Sequence, residues 1–199
     1  MATHPDAKVR FYKRDMTLHI HSDGSYLSAP RSGSRVGGYF YLSSETPNPA
    51  SCAHNGAIYI LPRILKRVLA SAVEVEIGST FTNAQEALPI HQMLRDMGHP
   101  KPATPMQVDN TTAVRFAHST LKQKRSKSID MNYYWIQDRT HFQQSHIYWI
   151  PGKGNLGDYH TTYFSPTHHK QVWSVYLHQL KQCELKFRKG VINTGSLHT

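Results

Sequence analysis

The chain has 199 residues, 39% of them hydrophobic, enough for the core of one globular domain with appendages. Its 23 Lys and Arg outweigh 13 Asp and Glu, a formal charge of +10 that favours a polyanionic partner such as nucleic acid. Two cysteines outside any C-x-x-C pair argue against a disulfide framework or zinc ribbon and fit an intracellular setting (cytoplasm, virus-like particle or nucleus), and no apolar run approaches the roughly 18 residues of a membrane span.

Residues 1–15 read as a polar lead-in without a signal-peptide core. Residues 16–22 (MTLHIHS) alternate, with Leu18 and Ile20 on one face and His19 and His21 on the other, which predicts a strand. Asp23-Gly24-Ser25 reads as the turn after it, and 28–34 as a loop rich in Ser, Pro and Gly. Residues 36–42 (VGGYFYL) and 56–61 (GAIYIL) predict two more strands, and the short links suggest an antiparallel meander.

The period then changes. Val73, Ile77, Phe81, Ala84 and Leu88 follow helical spacing from Ser71, Pro89 is expected to kink or divide this helix, and Gly98 stops it. Residues 104–108 predict a fourth strand ending at Asp109-Asn110, 111–118 a short helix, 121–127 a basic loop and 128–142 a long helix. Residues 145–150 (SHIYWI) predict a fifth strand, 151–154 a tight loop, and Asn155 the start of a last helix. Beyond Ser165-Pro166 a further helical piece spans 170–182, followed by a polar tail. The order β-β-β-α-β-α-α-β-α implies an α/β domain over 16–165. It has a mixed five-stranded sheet, antiparallel first and then alternating with helices, and a helical extension over 166–199.

Asp23 and Asp109 each close a predicted strand, and crossovers can bring such ends side by side. Two bare carboxylates in contact repel unless a cation is shared, and hard divalent ions take oxygen ligands. The helix offers two more acids. Ser71-x-x-Glu74 is a capping box, so Glu74 is expected to reach back to the Ser71 amide. Glu76 has no such task and flanks Ile77 on the apolar stripe, where an acid is costly unless it binds a cation. Asp158 has two readings here: a ligand, or an acid near a helix start capped by Asn155. Lys122, Lys124, Arg125 and Lys127 form a basic cluster suited to phosphate contact, and Gly24, Ser25, Asn110 and Thr111 adjoin the acids.

These segments together resemble ribonuclease H, specifically the domain that follows reverse transcriptase in copia-type retrotransposons. The resemblance covers residues 16–165 and rests on HIHSDGSY, SAVEVEIGS, MQVDNTTAV, KRSKSIDMNYYWIQD and YWIPGKGNLGDYHT, in the same order and spacing. In SAVEVEIGS the second acid matches the family's ligand, which again selects Glu76. The loop PGKGN is shorter than in cellular members, and Lys153 stands near where many of them carry a histidine; it joins the expected nucleic-acid contacts.

The resemblance implies two Mg²⁺ ions, replaceable by Mn²⁺, that cut the RNA strand of an RNA–DNA hybrid during reverse transcription. Asp23 would bridge both ions, Glu76 and Asp109 would complete one shell, and Asp158 the other. The implied partners are the hybrid and the reverse transcriptase portion of the same polyprotein. The competing readings are a non-catalytic nucleic-acid-binding domain of this fold and a DNA-cutting integrase or transposase. The intact acids argue against the first, and the Asp109 junction and the KSID helix argue against the second.

Overall fold

The computed structural model describes residues 7–66, 69–100, 102–118 and 127–179, with backbone only at 127–130 and 178–179. In chain order the elements are β1 (Ala7–Lys8), β2 (Thr17–Ala29), β3 (Gly33–Ser43), β4 (Ala57–Leu65), α1 (Ala72–Asp96), β5 (Thr104–Val108), α2 (Thr111–Ala117), α3 (Lys127–His141), β6 (Ser145–Trp149), α4 (Pro166–Tyr176) and β7 (His178–Gln179). Five strands form one mixed sheet in the order β4-β3-β2-β5-β6, with β2 at its centre. The β2–β3 and β3–β4 pairs are antiparallel, and the β2–β5 and β5–β6 pairs are parallel. This is the expected meander followed by crossovers. The lead-in is also anchored: β1 pairs with β7, and the Asn55 side chain exchanges hydrogen bonds with the Tyr12 backbone.

Alternation along β2 sorts its side chains between two faces. Leu18 and Ile20 join Val36, Phe40, Met106, Val108 and Ile147 beneath the apolar faces of α1, α2 and α3, which contribute Ile77, Ala84, Ala113, Ala117 and Ile136. Burying a side chain such as Phe40 there contributes about 1.5–3 kcal/mol. The opposite face, to which the alternation assigns His19 and His21, is packed as well. His19 and His21 are buried there with Tyr39 and Tyr41, under Cys52 and Leu156. Both imidazoles are kept neutral by burial, His19 pushed down to about 4 and His21 to about 3. The Leu156 amide donates to His21 Nδ1, so the ring proton sits on Nε2, which faces the Tyr41 hydroxyl at 3.1 Å.

Three local expectations are corrected. Asp23-Gly24-Ser25 is not a turn: β2 continues through it, with Asp23 opposite Gly37 and Ser25 opposite Arg35. The reversal comes later, where Gly33 donates to Pro30 O and both Arg31 and Ser32 have positive φ, the geometry of a hairpin turn that follows the strands' twist. Pro89 does not divide α1, which runs unbroken over 25 residues. Pro89 and Gln85 are both exposed, so the carbonyl left without its helical partner faces solvent. No last α-helix begins at Asn155. Residues 152–154 and 158–160 form two single 3-10 turns, and α4 starts at Pro166, capped by Ser165, instead of at 170. Glycines at 152, 154 and 157 weaken helix propagation there, while proline suits a first helical position.

The sheet and α1 are joined by a polar contact through the core. Asn83, fully buried on α1, donates to Ser22 Oγ at 2.9 Å and to the Gly37 carbonyl at 3.0 Å. Asn83→Leu leaves that carbonyl buried without its partner. It is expected to lower stability by about 1–3 kcal/mol, read as a lower urea midpoint with an unchanged m-value.

Candidate metal centre

The parallel register places the first two acids. Ile20 lies beside Met106 and His21 beside Gln107, so three residues further on Asp23 and Asp109 emerge together past the end of the ladder. Alternation sends both to the face that carries His21 and Gln107. The third acid arrives from the second turn of α1. Ser71 Oγ caps that helix by accepting from the Glu74 amide, and the Glu74 carboxylate accepts from the Ala70 amide at 2.7 Å. The acceptor relation differs by one residue from the capping box expected, but it occupies Glu74 in the same way. α1 passes so close to β2 that a Cβ on Gly24 would lie 3.0 Å from the Val75 side chain.

Asp23, Glu76 and Asp109 thus offer carboxylate oxygens that all lie within 4.8 Å of one another, the one such group of ligating side chains found among the described residues. Asp23 and Glu76 are buried, and Glu76 Oε2 has no hydrogen-bond partner. Burial, then the neighbouring acids, push the Glu76 carboxyl up to about 9 and Asp23 up to about 6; burial also raises Asp109. A buried, unpartnered carboxylate oxygen facing two more carboxylates fits a hard divalent cation, and no soft sulfur or imidazole ligand belongs to the group.

Asp158 stands apart from these three. It is half-buried, accepts from Thr162 Oγ1 at 2.9 Å, and bears electrostatically on Asp23 and Asp109. Its segment is clasped to β2 along consecutive residues. Leu156 N donates to His21 Nδ1, Asn155 Nδ2 to Ser22 O, and Thr161 Oγ1 to Asp23 Oδ2. Asn155 Oδ1 meanwhile accepts from Gly157 N at 3.0 Å. Gly37 makes the approach possible: a Cβ there would lie 2.4 Å from the Gly157 carbonyl oxygen. On the other flank Trp149 Nε1 donates to the Asp109 carbonyl at 2.9 Å, and Gly152 lies against the Asp109 carboxylate.

Of the expected nucleic-acid contacts, Gly24 and Ser25 lie in β2 just beyond Asp23. Asn110 caps α2 by accepting from Thr112 N, and Thr111 is exposed at the start of that helix. Lys153 is exposed in the turn beside Asp109. Lys122, Lys124 and Arg125 lie outside the described residues, and Lys127 is described only as the first backbone position of α3. The sequence reading missed the groups that orient the acids: Thr161, Ser79 (which donates to the Asp23 carbonyl), Asn155 and Gly37. The one signal was the stretch 155–162 (NLGDYHTT), which holds Asn155 and Thr161 and reads as a helix start; nothing marked Ser79 or Gly37.

The raised carboxyls set a pH dependence for the cation-free protein. An unfolded glutamate loses its proton near pH 4.5, whereas native Glu76 keeps it to about 9. The native state therefore binds more protons across that window, and its stability falls as pH rises through it. Melting in EDTA should show Tm declining from about pH 5 to about pH 9. Glu76→Gln should flatten that decline, and millimolar Mg²⁺ should raise Tm most at the alkaline end.

No protein-family profile and no curated protein sequence matches the chain. Solved structures do. The N-terminal RNase H domain of Rv2228c from Mycobacterium tuberculosis, solved as a maltose-binding-protein fusion, aligns with a TM-score of 0.51 at 13% identity, over 73% of this chain and 91% of that one. LC11-RNase H1, isolated from compost by a metagenomic approach, aligns with the same TM-score and identity over 73% and 92%. The same enzyme in complex with an RNA/DNA hybrid aligns equally well over 73% and 94%. The chain has the ribonuclease H fold.

Proposed function

We propose that the chain is a metal-dependent endonuclease that hydrolyses the RNA strand of RNA–DNA hybrids, acting beside the reverse transcriptase of a copia-type retroelement polyprotein. The observation that carries this reading is the convergence of Asp23, Glu76 and Asp109 within 4.8 Å around an unpartnered carboxylate oxygen. Fold alone does not decide activity, since function resides in the site. Here Asp23 and Asp109 lie just beyond the parallel β2–β5 ladder, and the same fold in LC11-RNase H1 is known with a bound RNA/DNA hybrid. The net charge of +10 supports a polyanionic substrate.

In this reading Asp23, Glu76 and Asp109 hold divalent cations, Mg²⁺ or Mn²⁺, with Asp158 completing the set from the 158–160 turn. Such ions supply Lewis acidity at the phosphoryl group and make water nucleophilic near neutral pH. The chain's own residues hold the oxygens in place beforehand. Thr161 binds Asp23 Oδ2 and so fixes the orientation of that carboxylate. Trp149 pins the Asp109 backbone, and Asn155 and His21 hold the Asp158 segment in register with β2. Water attacks phosphorus in line with the departing 3′-oxygen, so that the products carry a 5′-phosphate and a 3′-hydroxyl. Gly24, Ser25, Asn110 and Thr111 flank the acids and contact the RNA strand through its 2′-hydroxyls.

The test is Mg²⁺-dependent cleavage of an end-labelled RNA–DNA hybrid by the full chain. Replacing a group that only orients a metal ligand typically costs about 10–100-fold. Thr161→Val should therefore fall in that range, and Asp23→Asn and Asp109→Asn should lose at least about 100-fold. Absence of cleavage by the wild type, or full activity in both Asn variants, overturns the reading. Cleavage of duplex DNA in preference to the hybrid would transfer it to an integrase-like nuclease.

A further inference from the structure

One cation lies on the same face of the sheet as the acids without neutralising them. Arg35 is directly opposite Ser25 in the β2–β3 ladder, and Asp23 is opposite Gly37. Arg35, Gly37, Asp23 and Ser25 therefore share one face, with Arg35 a single alternation step from the acid's partner. Yet among the described residues Arg35 makes no ion pair; the pairs there are Arg63–Glu86 and Arg139–Asp138. Its guanidinium is instead held by Tyr163. The charged carbon lies 4.5 Å from the ring centroid, and Nη2 donates to the Tyr163 hydroxyl. Tyr163 has no apolar packing that would account for its position, since its side chain is 79% exposed.

The chain spends several constraints on this arrangement. Tyr163 follows directly on Thr161 and Thr162, which bind Asp23 and Asp158. The segment rides over β3 because Gly37 lacks a Cβ, and Thr161 Cγ2 would sit 2.7 Å from one. The close approach that aims Asp23 thus also carries the tyrosine over Arg35. A stacked arginine loses side-chain freedom before any ligand arrives; Arg35 Nε is buried, and the two terminal nitrogens keep further N–H groups to offer. Those donors match the two oxygens of a phosphodiester.

We propose that Arg35, clamped by Tyr163, is a positioning residue that grips a backbone phosphate of the nucleic-acid strand entering the acid cluster. The proposal rests on the substrate class given above. It adds a contact on β3, from a residue that the basic 122–127 cluster does not include. Arg35 fixes where the strand lies relative to the carboxylates, and Tyr163 fixes where Arg35 points.

Binding and turnover separate this from the cleavage reading. Anisotropy of a labelled RNA–DNA hybrid in Ca²⁺, over a range of salt, is measured for wild type, Arg35→Met, Tyr163→Ala and Tyr163→Phe. Arg35→Met retains much of the side-chain length without the charge. It should weaken binding about tenfold, as for one charge-assisted hydrogen bond, and reduce the salt slope by about one. Tyr163→Ala should do nearly the same, and Tyr163→Phe, which keeps the stack, should lose less. In Mg²⁺ the Arg35→Met defect should appear in KM and not in kcat, with Tm unchanged. Wild-type affinity and salt slope in Arg35→Met, or a loss that merely tracks a fallen Tm, overturns the proposal. If the wild type binds but does not cleave while Arg35→Met still loses affinity and slope, the phosphate contact stands and the nuclease reading falls.

Discussion

Three carboxylates that repel one another are held together in a mostly buried pocket, and much of the architecture around them resists that repulsion. Asp23, Glu76 and Asp109 come from a central strand, a helix start and a neighbouring strand end. Left alone, the chain would relieve the strain by separating them or by keeping protons; burial first, and the neighbouring acids after it, push Asp23 and Glu76 upward. The fold prevents separation through rigid parts: the parallel β2–β5 register, the capped start of α1, and the Asn83 contact that locks α1 onto β2 and β3. Stability is given up locally so that three carboxylates stay together.

The second sheet face carries out the matching task. Where an ordinary two-layer domain would place more aliphatic side chains, β2 and β3 place His19, His21, Tyr39 and Tyr41. These groups are polar enough to accept and donate at fixed points and aromatic enough to pack. His21 serves in one tautomer only, since the Leu156 amide has claimed Nδ1. Through that contact and the neighbouring Asn155–Ser22 bond, a segment with little regular structure is set against β2 as firmly as a paired strand would be.

What was legible in the sequence follows from range. Period-two alternation in 16–22 and helical spacing from Ser71 are local signals, and a strand and a helix formed there, each running on past the stop expected of it at Asp23 and Pro89. Glu76 could be told from Glu74 because a capping box is a four-residue pattern, and the structure brings Glu76 to the other acids. Asp23-Gly24 misled because a dipeptide common in turns also serves in a strand crossed closely by a helix; the deciding neighbour, Val75, is far away in sequence. The 155–163 segment was unreadable for the same reason. Its conformation is set by bonds to residues 21–23 and by the missing Cβ at Gly37, not by its own propensities. Asp158 carried no local signal either, and the structure places it beside the triad but outside its tight cluster.

The Thr161–Asp23 contact joins residues 138 positions apart. During synthesis the meander, α1 and β5 leave the ribosome first, so the three repelling acids can meet before the segment that clasps Asp23 has been made. A nascent chain arrested short of Thr161 has its anionic pocket without the clasp that aims it. The site is therefore completed only after all five strands of the sheet that supports it have been made.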